Sequence, residues 1–183
     1  ISADERRKRI KPHIRSSNLC VQLFKQLRVL HKFPRAYVKV LRVCAMLHDI
    51  GSTFKFYNNA KHTAYMILNS NLYGISHRDL VLAALVTDVN NKEGTNYTEW
   101  AKYNCILSPE DVEAVKKLSV ILRLATALDF GMRNAVTELS CDVLGDSVIM
   151  KTELTCDAEL ELKAANLLGV DFKKVFKKNL EIL

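Results

Sequence analysis

None of the five cysteines in this chain is spaced from another as CxxC. Cys20, Cys44, Cys105, Cys141 and Cys156 are odd in number and scattered, which excludes a disulfide framework and a paired-cysteine zinc knot. Cys44, between Val43 and Ala45, falls on an apolar face, so the thiols read as small buried hydrophobes in a reducing compartment. The expected location is therefore cytoplasmic. No apolar run approaches the roughly 20 residues that span a bilayer. The charged N-terminus has no signal-peptide pattern, and no membrane partner is expected. Internal repeats, low-complexity tracts, a flexible linker and a glycine-rich phosphate loop are also missing. The first residue is an isoleucine, and the chain is read as a piece of something longer.

What is present suits one domain, or one domain with a small appendage: 183 residues, of which 49% are hydrophobic. The formal net charge is +7, which directs attention to anionic partners, either polyphosphate or nucleic acid. Positive charge is densest at residues 5–11, ERRKRIK. A solvated helix face explains such a run without any ligand. Sequence alone shows no nucleic-acid motif and no sign of exposed aromatics, and a nucleic-acid partner is not expected.

Apolar residues at helical spacing (Leu19, Leu23, Leu27 and Leu30, flanked by Val21 and Phe24) predict a helix over 15–30. A basic connection with Pro34 leads to a second helix through Tyr37, Val40, Leu41, Cys44, Ala45 and Leu47, which Gly51 is placed to end. His62 opens a third helix, and a fourth begins at His77 or Arg78 with Ser76 as its cap. Its apolar side comprises Leu80, Ala83, Ala84 and Val86. Residues 88–104 lack a clear period and read mainly as loop. Ser108-Pro109-Glu110-Asp111 is a helix start with a cap, a first-turn proline and acids at the positive dipole end. After Gly131 the period changes. Val148, Met150, Thr152 and Leu154 alternate as a strand, paired through the turn 144–147 with a strand at 136–143. Leu160, Ala164, Leu168, Phe172 and Phe176 mark one final helix, and 179–183 an edge strand. The expected fold class is mainly α: an HD-domain-like helical bundle over 1–133, then a small ββαβ appendage over 134–183.

The succession AMLHDIG, AKHTAYMILNSNLYGISHRDLVLAALV and LRLATALD, with the closing LELKAANLLGVDFKKVF, resembles the C-terminal region of the exopolyphosphatase / guanosine pentaphosphate phosphohydrolase family. The stretch from Lys61 to Val86 is its most specific part. The resemblance implies two preceding actin-like domains that cleave the terminal phosphate of polyphosphate or guanosine pentaphosphate with magnesium. The C-terminal region would shape the channel for the anion and support a homodimer. Lacking the phosphate loop, this fragment would be inactive alone and would need no cofactor of its own. The alternative is an autonomous metal-dependent HD phosphohydrolase acting on nucleotides.

That alternative turns on LHDIG. A working HD site needs several hard ligands around a divalent ion. His48 and Asp49 are present. The early histidine of the family pattern aligns with Pro12, with His13 one residue out of register. Asn59 and Ala60 stand where relatives carry paired histidines, and Asn90 and Asn91 where they carry His-Arg. The late aspartate aligns with Thr126, Asp129 lying three residues on. No bound metal is expected, and His48 and Asp49 are expected to bond locally and help end their helix. Lys61, His62 and Arg78 are the candidates for anion contact. Arg6, Arg7, Lys8 and Arg9 form a second candidate surface.

Overall fold

The structure, a computed structural model, describes residues 3–53, 57–90 and 97–183; the side chains of residues 3, 6–9 and 97 lie outside that description. In chain order the helices are α1 (Ala3–Gln26), α2 (Arg28–His31), α3 (Tyr37–Leu47), α4 (Asn59–Leu68), α5 (His77–Asp88), α6 (Tyr97–Trp100), α7 (Pro109–Leu128), α8 (Glu159–Asn166) and α9 (Gly169–Phe176). The strands are β1 (Val136–Leu144), β2 (Ser147–Leu154) and β3 (Asn179–Ile182). The expected class holds: a mainly helical chain with a small sheet near its C-terminus. No helix among the described residues is long and apolar enough to cross a membrane. The chain forms two compact units, Pro34–Ser119 and a split one of Ile1–Phe33 with Val120–Leu183.

In the continuous unit, 34–119, α3 buries Tyr37, Val40, Leu41, Cys44 and Ala45, the spacing of one helical face. Burial pushes the Cys44 thiol up to about 12, so it packs as a hydrophobe. Helices α3 and α4 both pack on α5, and α5 differs from its one-sided expectation. Every residue from Leu80 to Asp88 is buried: Leu80 to Val86 are apolar all round, and Thr87 and Asp88 are hydrogen-bonded to Ala83 O and Trp100 Nε1. Ser76 caps it as expected, accepting from Asp79 N at 3.1 Å. Between α4 and α5, Ile75 N donates to Leu72 O at 3.2 Å and Gly74 has φ +76°. That is the signature of a type II turn, with glycine supplying the positive φ at its third residue. Part of the expected loop at 88–104 is helical, as α6 and a 3-10 turn at Ala101–Tyr103, with Trp100 buried. Residues 91–96 lie outside the described residues.

In the split unit, β1 and β2 form the expected antiparallel hairpin, closed by Gly145 at φ +51°. β3 returns parallel to β2, so β2 is central in the order β1-β2-β3. The final helix is two helices, and the sequence pattern explains the break. Five residues at steps of four drift by about 160° around a straight helix, too far to share one face. Breaking at Leu167 and Leu168 leaves Leu160 exposed while Ala165, Phe172 and Phe176 are buried. His31 is buried at the end of α2. Its Nδ1 accepts from Phe33 N at 2.9 Å, which makes Nε2 the protonated nitrogen that donates to Phe24 O at 2.7 Å.

Candidate functional site

The LHDIG stretch turns the chain from α3 into a 3-10 segment, Ile50–Thr53. His48 follows the last residue of α3 with helical dihedrals. Its Nδ1 lies 2.9 Å from Ala45 O; the carbonyl can only accept, so Nδ1 carries the proton. The imidazole thus satisfies one of the orphan carbonyls at the helix end, the local role expected of it. Gly51 makes the next step possible. Its N donates to Thr63 Oγ1 at 2.9 Å, and a Cβ there would stand 2.5 Å from both Asn59 O and Thr63 N. Thr63 is fully buried, and its hydroxyl also contacts Asn59 Oδ1 at 3.0 Å. The first turn of α4 is thereby seated on the LHDIG turn. Thr63 was visible in sequence only as the third residue of KHTAY; its role as the contact for Gly51 was not.

Lys61 and His62 sit on that same first turn. Lys61 is exposed, with Nζ 3.3 Å from Glu99 Oε1, a surface pair worth at most about 1 kcal/mol. His62 is half-buried. Arg78 lies apart from them, in the first turn of α5, where it is held by carboxylates. Its Nε donates to Asp111 Oδ2 at 3.0 Å and its Nη2 to Asp111 Oδ1, a bidentate fork. Nη1 lies 3.5 Å from Asp79, and the guanidinium stands 5.5 Å from the centre of the Tyr37 ring.

Asp111 is the hub of this cluster and is fully buried. Besides Arg78 it accepts from the Tyr37 hydroxyl at 2.7 Å and from Ser108 N at 2.9 Å. Ser108 Oγ accepts from Asp111 N in return at 3.2 Å, a reciprocal cap at the start of α7. Burial alone would raise the Asp111 carboxyl, but its Ser108, Tyr37 and Arg78 donors together hold it below the ordinary value. Burial and the adjacent carboxylate push the Tyr37 phenol upward. In sequence Asp111 signalled only a helix start, since both side-chain partners are remote along the chain. A second buried acid, Asp88, accepts from Trp100 Nε1 at 2.8 Å. Burial raises its carboxyl, and the indole donor and Lys61 offset this only in part.

Comparison with known families decides the relationship. The family described as Ppx/GppA phosphatase, domain III, matches residues 12–174. The chain belongs to the Ppx/GppA phosphatase family. A search of curated proteins finds no match.

Of the other residues weighed in sequence as companions of His48 and Asp49, His13 lies in α1, Thr126 in α7 and Asp129 just after it. Pro12 lies inside α1, with His13 half-buried beside it. Thr126 Oγ1 donates to Arg123 O at 3.0 Å within its own helix. Asp129 is buried and faces Arg15 Nε, with its two oxygens at 3.1 and 3.3 Å. The same arginine donates to Met132 O at 2.8 Å, so Asp129 fastens the end of α7 to α1. The backbones of Arg6, Arg7, Lys8 and Arg9 are helical, and their side chains lie outside the described residues.

Proposed function

We propose that this chain is the C-terminal domain of an exopolyphosphatase-type hydrolase, contributing polyanion binding and homodimer assembly and no catalytic group. Membership of the Ppx/GppA phosphatase family across residues 12–174 carries this reading. The net charge of +7 supports an anionic ligand, and polyphosphate or guanosine pentaphosphate is the expected substrate of the whole enzyme. Cleavage, and the magnesium it needs, belong to the actin-like domains expected to precede this region in the same protein. The HD pair is degenerate. His48 closes α3, and at the position of the family's late aspartate Thr126 offers a hydroxyl already given to Arg123 O, a weak ligand for a hard divalent ion. Within the binding role we favour Lys61 and His62, because Lys61 meets only the exposed Glu99 whereas Arg78 is held by the buried Asp111 and by Asp79.

The purified chain should release no phosphate from polyphosphate, with or without magnesium, yet bind it more weakly as salt rises. Binding that ignores salt would remove the polyanion role. Saturable manganese binding lost in His48→Ala, together with hydrolysis of nucleotides, would restore the autonomous HD phosphohydrolase instead.

A further inference from the structure

The continuous unit carries a row of cations that neutralises nothing among the described residues. Arg35, Lys39 and Arg42 are exposed and recur at steps of four and three, which places them on one helical face. Arg35 precedes α3, and its carbonyl accepts from Val38 N at 3.0 Å, so it already leads into the helix. α3 itself contains no carboxylate. Elsewhere in this unit Lys61 faces Glu99, Lys116 faces Glu113, and Arg78 faces Asp111 and Asp79. None of the three α3-side cations has such a partner among the described residues. Lys39 Nζ instead donates to Gly74 O at 3.0 Å, a carbonyl that orients the ammonium without cancelling its charge.

That bond joins the row to the type II turn at 72–75, and the turn presents an aromatic ring. Tyr73 occupies the second position of the turn and is wholly exposed, at 103% relative accessibility. Gly74 is there for its φ of +76°, since a Cβ would meet nothing within 4 Å. A ring standing fully in water gains nothing from burial within the fold. On a turn held by Lys39, one of three uncompensated cations on that face, it offers a flat face to whatever those cations hold.

Phosphates alone would use the cations and leave the ring idle. A ligand that uses both has a phosphate backbone and unpaired planar bases. We propose that this face binds single-stranded nucleic acid, with Arg35, Lys39 and Arg42 along the backbone phosphates and a base stacked on Tyr73. In sequence only the net charge of +7 pointed this way, because nothing in NSNLYGIS says whether the tyrosine points inward or out.

The test measures binding of a fluorescein-labelled oligouridylate to the 183-residue chain by anisotropy, with inorganic polyphosphate as the comparison ligand. Tyr73→Ala should weaken the oligonucleotide by roughly 5- to 100-fold, the worth of one stacked base, and leave polyphosphate unchanged. Tyr73→Phe, which keeps the ring, should bind as the parent does. Replacing Arg35, Lys39 and Arg42 together by glutamine should flatten the slope of log affinity against log salt by about 2. Thermal unfolding of each variant should match the parent, because all four side chains are exposed. The proposal is overturned if the parent does not bind the oligonucleotide or if the triple variant binds it undiminished. It is also overturned if Tyr73→Ala binds as tightly as the parent, which would leave a surface for polyphosphate alone.

Discussion

Gln22 is joined to Leu139 as one strand is joined to the next. Its Oε1 accepts from Leu139 N at 3.0 Å and its Nε2 donates to Thr137 O at 3.2 Å. Gln26, one turn along α1, accepts from Cys141 N at 3.3 Å. Four residues of helix rise about 6 Å and two residues of strand about 6.7 Å, so the two glutamines keep step with alternate residues of β1. An edge that would otherwise offer unpaired N–H and C=O groups is covered by side-chain amides. Gln22→Ala should cost about 1–2 kcal/mol in urea unfolding and increase self-association in sedimentation velocity. A variant as stable and as dispersed as the parent would show that the amides contribute nothing.

Gly51→Ala should be among the most damaging single-methyl changes in the chain. The new Cβ would sit 2.5 Å from two backbone atoms of α4, and backbone cannot swing aside as a side-chain tip can. A loss of about 3 kcal/mol or more is expected. Gly169→Ala is the control: nothing lies within 4 Å of its Cβ, and it opens α9, so stability should hold or rise by up to about 1 kcal/mol. Equal effects at the two sites would contradict the packing described.

Asp111 sets an acid limit on stability. Its folded carboxyl lies below the ordinary value, so its contribution is fully present above the unfolded carboxylate range. It is lost as pH falls through the depressed folded value. Asp111→Asn should cost about 2–3 kcal/mol at neutral pH, less than a wholly buried pair because Arg78 is partly exposed. The unfolding free energy of the variant should also depend less on pH on the acid side. An unchanged acid slope would show that Asp111 ionisation is not linked to folding.

Asp88 acts with the opposite sign. Burial raises its folded carboxyl, so stability associated with it is greatest below the unfolded carboxylate range and declines as pH rises through the folded value. Asp88→Asn keeps an oxygen for the Trp100 indole and removes the buried charge. It should hold stability or raise it by about 1 kcal/mol at neutral pH. Trp100 is the only tryptophan, so its emission reports directly on this contact. A pH-dependent emission step in the parent should vanish in the variant, and its persistence would assign the step to another group.

Features that depend on residues near one another in sequence were legible beforehand. Ser76 and Ser108 cap the helices they precede, the 136–154 hairpin follows from alternation, and LHDIG ends its helix with His48 bonded three residues back. Each is written within a turn or two of chain, where backbone preference and hydrogen-bond reach decide the outcome. The family was legible too, because the order of such segments from LHDIG to LATALD is itself a pattern.

What tertiary structure decided is which side chains meet or stay in water. Arg78 and Asp111 lie 33 residues apart, and only the fold shows that this candidate for anion contact has a buried carboxylate as its partner. Gln22 and Leu139 are 117 residues apart, and nothing local shows that a helix will close a strand's edge. Tyr73 reads alike whether buried or exposed, until a positive φ at Gly74 turns the chain and leaves the ring in water. Local pattern measures preference over a few residues, whereas burial and charge compensation depend on segments that meet only after folding.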